Sequence, residues 1–392
     1  MSLLFAAALL AGGVDALASP KQPPMKYTKL GDSDLEVSKV CLGTMTWGEQ
    51  NTVEEGVSQL NKAFDEYGIN FLDTAEMYPV PTKPETQGAT DKVVAEWLRR
   101  RGKRDDVILA TKVAGASERM TWLRKSGEGT RVSKKDILES VESSLKRLGT
   151  DYIDLLQIHW PDRYVPLFGE DAYDPSKERD DTISFEEQLD AFRILVEEGK
   201  VRHIGVSNET PYGVMKFTEL AEQSKRTQPL ASLRWPKIAS IQNSYSLLVR
   251  SDFESGLSEV CSPRHCNVGL LAYSPLAGGI LSGKYSDSYG GGGSVEAARL
   301  NIFPGFMERY KKSIAQEAVA AYIDVAAKHG LTPTQLSLAW CYSRPWVAST
   351  IIGATTVEQL EENIQTFHLE FTDEMNSDIN DIYKRYRDPS KI

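Results

Sequence analysis

The sequence predicts an α/β protein built as a (β/α)8 barrel, with a small β-hairpin ahead of the first barrel strand and an extra helix after the last. Three observations carry this expectation. Eight short apolar runs recur from residue 40 onward, amphipathic stretches separate them, and the longest connections all follow the ends of predicted strands. Alternation of this kind over about 360 residues suits one barrel better than several smaller domains.

Residues 1–24 stand apart from this pattern as a leader or disordered extension, with residues 25–392 forming the barrel domain. Residues 1–18, MSLLFAAALLAGGVDALA, end in an Ala-Leu-Ala that resembles a cleavage site. Yet no Lys or Arg precedes the apolar run 3–10, and Asp15 sits close to the supposed cleavage point. That run is too short to span a bilayer. Targeting leader and non-structural extension both stay open, and with them the compartment.

Residues 26–38, YTKLGDSDLEVSK, read as the hairpin. The barrel strands are expected at 40–43, 69–73, 107–112, 153–159, 202–207, 238–242, 268–273 and 347–353. Most are continuous apolar runs rather than alternating ones, as strands buried on both faces should be. Residues 53–67 carry Val57, Leu60 and Phe64 on one helical stripe, and residues 134–148 carry Ile137, Leu138, Val141, Leu145 and Leu148. Ser184 with Glu187 three residues on predicts a capping box. Thr332-Pro333 opens a further helix, with proline tolerated in the first turn. Residues 373–386 form the extra terminal helix. The three long connections, 114–133, 160–183 and 274–312, fall on the face where barrel enzymes build their sites.

Composition narrows the function. With 45 basic and 55 acidic side chains the chain carries a net charge of −10, which argues against nucleic acid or an anionic membrane as the main partner. Four cysteines (Cys41, Cys261, Cys266 and Cys341) form no CxxC pair and suit reduced thiols. Cys261, His265 and Cys266 lack the further ligand that a four-coordinate zinc needs, so no metal site is expected. No segment after the leader is apolar enough to cross a membrane.

Polar residues ending buried strands are the strongest functional signal. The second strand ends in FLDTAEMY, giving Asp73 and Tyr78; the third in ILATK, giving Lys112; the fourth in LLQIHW, giving His159. Singly each has an ordinary structural role: cap, packed aromatic, rim cation, satisfied histidine. Converging at one barrel mouth they make a proton-transfer device. A tyrosine near pKa 10 is a sluggish acid at neutral pH, and lowering it about three units takes about 4 kcal/mol of differential stabilisation. An ammonium at Lys112 would stabilise the phenolate, and Asp73 would hold that ammonium charged and oriented. His159 would hydrogen-bond a carbonyl oxygen. Such a set protonates an oxyanion, which suits carbonyl reduction. A metalloprotease HExxH and a nucleophile–base pair for acyl transfer are both missing.

Reduction needs a hydride source, yet no GxGxxG follows an early strand. Residues 278–284, GGILSGK, fit a phosphate-loop pattern, but Tyr285 replaces the Ser or Thr that would hold magnesium and no helix follows. An ATPase is rejected; a loop wrapping a dinucleotide pyrophosphate is not.

With these residues in view, the chain resembles the aldo/keto reductases, in the Tas-type branch related to the potassium-channel β subunits. The resemblance covers residues 25–386. It rests on LGTMTWG (42–48), FLDTAEMY (71–78), ATK (110–112), LLQIHWP (155–161), GKVRHIGVSNET (199–210), IQNSYSLL (241–248), LLAYSPLAGGILSGKY (270–285) and STIIGATTVEQLEENI (349–364). The resemblance implies NADP as cofactor and a catalytic tetrad of Asp73, Tyr78, Lys112 and His159, with Tyr78 as general acid. It implies that Ser207, Asn208 and Gln242 hold the carboxamide and that Tyr273 stacks on the nicotinamide, with Thr44 and Met45 near it. Ser274, Leu276, Gly278 and Lys284 match the pyrophosphate belt. Gly353, Thr355, Gln359, Glu362 and Asn363 match the adenosine end, and Arg299 a contact to the 2′-phosphate. The run 290–293, all glycine, lengthens the cofactor-covering loop relative to the family.

The substrate is expected to be a small carbonyl compound, with Trp47, Trp122, Trp160 and the long loops as pocket walls. A monomer is the default state. Two other classes compete. A redox-sensing NADP-binding module resembles the channel subunits, which carry asparagine where this chain has His159. A barrel glycosidase needs two carboxylates about 5–10 Å apart, and Asp73 alone is convincing at a strand end.

Overall fold

Eight parallel strands pair edge to edge until the sheet meets itself. The computed structural model describes residues 24–391, except 171, 287–298, 304 and 306; the side chain of Arg299 is also outside the described residues. The leader and the glycine run 290–293 therefore lie outside them. A hairpin of β1 (Tyr27–Lys29) and β2 (Glu36–Ser38) precedes the barrel strands. These are β3 (Val40–Gly43), β4 (Phe71–Asp73), β5 (Ile108–Val113), β6 (Ile153–Ile158), β7 (Val201–Ser207), β8 (Ile238–Ser244), β9 (Gly269–Tyr273) and β10 (Val347–Ile352). The order runs β3 to β10 in sequence, and β10 pairs with β3 to close the barrel. The eight runs read from the sequence are thus the eight strands, shifted by two residues or fewer at most ends.

Helices fill the intervals: α1 (Val53–Asn61), α2 (Ala89–Arg101), α3 (Lys134–Leu148), α4 (Phe185–Glu197), α5 (Pro211–Thr227), α6 (Ser258–Val260), α7 (Arg299–Ile302), α8 (Ser313–Lys328), α9 (Pro333–Tyr342), α10 (Val357–Gln365) and the terminal α11 (Asp373–Arg385). Their ends follow local chemistry. The Ser133 hydroxyl caps α3 by accepting from the Asp136 amide, and Gly149 in the left-handed region stops it. Thr332 and Gln335 form a reciprocal capping box ahead of α9.

Two expectations need correction. The helix expected over 53–67 is α-helical only to Asn61 and continues as a π-turn, Lys62–Glu66. This wider turn keeps Ala63 and Phe64 buried, Phe64 lying 4.8 Å from Trp97 between ring centroids. The capping box at Ser184 is only half formed. Ser184 accepts from the Glu187 amide, but the Glu187 carboxylate turns away to accept from the Lys134 amide at 2.9 Å. It thereby joins α4 to the start of α3.

The hairpin plugs the amino-terminal end of the barrel. Leu30, Leu35 and Val37 are buried against Cys41, Phe71, Leu155 and Leu271 from the barrel interior. Asp32 pairs with Lys237 and Asn267 near the start of β8 and β9, and Asp34 accepts from Arg202 at 3.2 Å on β7. Close by, the buried Asp154 carboxylate takes Arg104 at 2.6 Å, Arg202 at 2.9 Å and the Leu109 amide at 3.0 Å, lacing β5, β6 and β7. The opposite end is left to the long loops.

Phe71 is wholly buried at this plug. Phe71→Ala should cost about 3–5 kcal/mol of stability. In urea unfolding the midpoint should fall with the m-value preserved.

Candidate active site

The four polar strand-end residues converge at the carboxy-terminal mouth. Asp73 ends β4, Lys112 sits in β5 and His159 directly follows β6, while Tyr78 lies in the loop after β4. The Lys112 ammonium is fully buried and donates to Asp73 Oδ2 at 2.5 Å and to the Thr74 carbonyl at 2.9 Å. Its third neighbour is the Tyr78 hydroxyl at 3.4 Å, with the tyrosine ring centroid 4.9 Å away. Burial works to lower the lysine pKa, but the Asp73 charge, helped by Tyr78, outweighs it and holds the pKa above the ordinary value. Lys112 is therefore a fixed cation.

His159 meets Tyr78 edge-on, with centroids 5.8 Å apart. Its ring is held by position rather than by side-chain bonding, because Nδ1 is buried without a hydrogen-bond partner. Burial first, and the Lys112 charge second, push the imidazole pKa well below its usual value. The ring is neutral at neutral pH.

Sequence reasoning missed Gln157, Glu76 and Arg124 as supports of this cluster, and gave Gln242 a cofactor role only. Asp73 Oδ1 accepts from Gln242 at 2.8 Å and from Gln157 at 3.3 Å. Gln157 interrupts an apolar run in the same way as His159, so the signal that found one was present for the other. Glu76, three residues after Asp73, is buried and receives Arg124 through two bonds of 2.9 Å and the Ala114 amide at 2.7 Å. This pair pins the loop carrying Tyr78 to the long connection 114–133. Arg124 is 48 positions away in sequence, and no local pattern announces the pairing.

The cofactor-side candidates fall into three neighbourhoods. Around the tetrad, Thr44 donates to the Asp73 carbonyl at 2.9 Å, and the Met45 carbonyl accepts from the Val80 amide at 3.1 Å. Ser207 donates to the Gln242 carbonyl at 2.7 Å. Asn208, at φ +52°, donates to the His159 carbonyl at 2.8 Å and accepts from the Tyr273 hydroxyl at 2.6 Å. One network thus connects Tyr273, Asn208, Ser207 and Gln242 to the tetrad.

The second neighbourhood is the loop after β9. Ser274 and Leu276 lead into a tight turn in which Gly278 and Gly279 both have positive φ, +71° and +98°. A Cβ on Gly278 would lie 2.5 Å from the Met307 sulfur, and one on Gly279 would lie 3.0 Å from Lys284 Nζ. Only glycine fits this close approach of backbone and cation. The third lies where β10 meets α10. Gln359 Oε1 accepts from both the amide and the hydroxyl of Thr355 at 3.1 Å, and Asn363 donates to the Gly353 carbonyl at 3.3 Å. Glu362 accepts from Thr332 at 2.9 Å. Asn51, in the loop after β3, donates to the Thr355 carbonyl at 2.8 Å and so joins this end to the mouth. Arg299 begins α7, and its side chain lies outside the described residues.

The expected pocket walls divide. Trp160 donates to the Ala116 carbonyl at 2.9 Å with its ring 5.1 Å from His159, beside the site. Trp122 lies in a short 3-10 turn of the 114–133 connection. Trp47 does not line the mouth: it is fully buried under α1 and α2, where Gly56 leaves room for its ring and Gln59 accepts from its indole at 3.3 Å. Among the described residues, no helix is long and apolar enough to cross a membrane.

The model of the aldo/keto reductase family matches residues 39–384. The chain is similar to Protein tas of Escherichia coli (strain K12), 43% identical over 370 residues that cover 93% of this chain and all of the relative. An aldo-keto reductase of Babesia bovis is 42% identical over 73% of this chain and 99% of its own. A putative voltage-gated potassium channel subunit beta of Schizosaccharomyces pombe is 30% identical over 92% of each.

The neutral, buried His159 has a consequence for stability. Its folded pKa is depressed, so between that value and about 6.5 the unfolded chain binds the extra proton. Its contribution is present above about pH 6.5 and is lost as pH falls below it. In thermal unfolding from pH 7.5 to 4.5, the acid-side fall in Tm should be shallower for His159→Gln than for the natural chain. Parallel curves would contradict the assignment.

Proposed function

The chain belongs to the aldo/keto reductase family and is an oxidoreductase, and we propose that it uses NADPH to reduce an aldehyde or ketone to the alcohol. One observation carries this reading: a buried lysine ammonium, charged by Asp73 at 2.5 Å, stands 3.4 Å from the Tyr78 hydroxyl.

The residues fit a dinucleotide. The partly exposed glycine turn 278–279 brings backbone and the Lys284 cation close together, as a pyrophosphate site requires. The network of Ser207, Asn208 and Gln242 has the mixed donors and acceptors that a carboxamide needs. Thr355, Gln359, Glu362 and Asn363 would hold the adenosine end, with Tyr273 against the nicotinamide. Preference for the 2′-phosphate form rests on the family and on Arg299. Bound there, the cofactor supplies a hydride to the carbonyl carbon.

The chain's own part is the proton. Tyr78 donates its phenolic proton to the carbonyl oxygen as negative charge develops there. The Lys112 ammonium lowers the cost of the phenolate left behind, and Asp73 keeps that ammonium from following the proton out. His159, being neutral, keeps a single ring proton. An unpaired buried lone pair costs less than an unpaired N–H, so the proton belongs on Nε2, with Nδ1 bare. Nε2–H would then orient the substrate oxygen toward Tyr78. Gln157 and Gln242 fix the Asp73 carboxylate, and Glu76 with Arg124 fixes the loop carrying the acid.

The test is reduction of 4-nitrobenzaldehyde followed by loss of NADPH absorbance. Tyr78→Phe should lower kcat by about 10²–10⁴ while NADPH still quenches tryptophan fluorescence. Lys112→Met should lower kcat by a similar factor and move the basic limb of the pH–rate profile upward. Undiminished turnover by the Tyr78 variant, or faster reaction with NADH than with NADPH, would refute the corresponding part of the reading.

A further inference from the structure

Beside the tetrad, the loops after β6, β7, β8 and β9 enclose, together with Ser390 and Lys391 near the carboxy terminus, a cleft of about 260 Å³. Asn208 and Tyr273 form its wall toward the tetrad; Leu167, Val249 and Leu257 give it apolar lining, and Arg309 enters from the loop after β9. This volume admits a molecule of benzoate size and is far too small for a dinucleotide.

Among the described residues the three carboxylates that line the cleft each have a cation of their own: Glu170 pairs with Lys177 at 3.0 Å, Glu209 with Arg163 at 2.5 Å, and Asp252 with Lys391. Arg309 has no carboxylate within ion-pair distance among the described residues. Its one hydrogen bond there is to the Tyr310 hydroxyl at 3.0 Å, and its Nε is buried without any partner. Among the described residues most of its donors therefore stay unspent, although Tyr310, Tyr273 and, beyond ion-pair distance, Asp252 favour its charged form against the cost of burial. The 160–183 connection is shaped to leave the guanidinium there. Gly169, at φ +112°, passes so close that a Cβ would lie 3.2 Å from Arg309 Cδ.

We propose that this cleft is a binding site for a small anion of the carboxylate or phosphate class, with Arg309 as its counter-charge. A planar guanidinium with free N–H groups takes either oxyanion through paired hydrogen bonds. Two sources share this chemistry: a carboxylate carried by the carbonyl substrate itself, and a free inorganic anion. The first rests on the reductase reading above and is favoured by position. Tyr273 and Asn208 are hydrogen-bonded at 2.6 Å, and Asn208 reaches the His159 carbonyl at 2.8 Å, so one bonded pair separates cleft from tetrad.

The test uses the full chain saturated with NADPH, so that the cofactor's own phosphate sites are filled. Inorganic phosphate should raise the Tm of the natural protein and not that of Arg309→Gln. In chloride buffer, the ratio of kcat/KM for 4-carboxybenzaldehyde to that for its methyl ester should fall at least tenfold in the same variant, through KM. The ratio is taken within each protein, so a general loss of turnover cancels. Loss of the phosphate effect with an unaltered ratio assigns the site to a free anion. No phosphate effect and no change in ratio overturns the proposal. So does a variant in which only NADPH affinity falls, since Arg309 would then serve the dinucleotide. If neither aldehyde is reduced, the reductase reading fails and the phosphate response alone decides the site. Should Arg309→Gln not fold, Arg309→Lys keeps the charge and should retain the phosphate effect while weakening the ratio.

Discussion

The pairing of Lys112 with Asp73 is the constraint from which the rest of the site follows. A fully buried ammonium is tolerated only if its donors are satisfied and its charge is matched. Here Asp73, the Thr74 carbonyl and the Tyr78 hydroxyl do both. The carboxylate has demands of its own, which Gln242 and Gln157 meet from β8 and β6. Four strands must therefore deliver these side chains to one place. Removing any of them leaves a buried polar group exposed to an apolar interior, so the registry of the closed sheet and the chemistry at its mouth are enforced together.

Much of this was legible beforehand, for a physical reason. Strands buried on both faces must be apolar, so a charged or polar residue at the end of one stands out, and Asp73, Lys112 and His159 did. The barrel was readable from the same runs. What stayed hidden depends on partners distant in sequence. The bond between Glu76 and Arg124 spans 48 positions, and Arg309 gains its meaning only from the three carboxylates that already have cations. Trp47 shows the converse limit. A tryptophan after a strand reads alike whether it turns toward the mouth or beneath the helices, and only the space above Gly56 decides. The half-formed cap at Ser184 has a similar origin, since the Lys134 amide competes for the Glu187 carboxylate.

The surroundings of His159 and Arg309 show two uses of incomplete bonding. One ring nitrogen of His159 is left bare because the neutral form is what the position requires. Arg309 is left under-bonded although its neighbours are scrupulously paired. The first fixes which ring nitrogen carries the proton; the second leaves N–H groups open to a ligand from outside.

The hairpin at the far end gives this arrangement a history as well as a shape. Its plug of Leu30, Leu35 and Val37, and the clasp of Asp32 and Asp34 on β7, β8 and β9, fasten that end through contacts separate from those of the mouth. Lineages descending from such a scaffold are free to lengthen, shorten or recharge the three long loops while the foundation is inherited intact. Selectivity can diverge quickly in a protein of this design, and durability need not diverge with it.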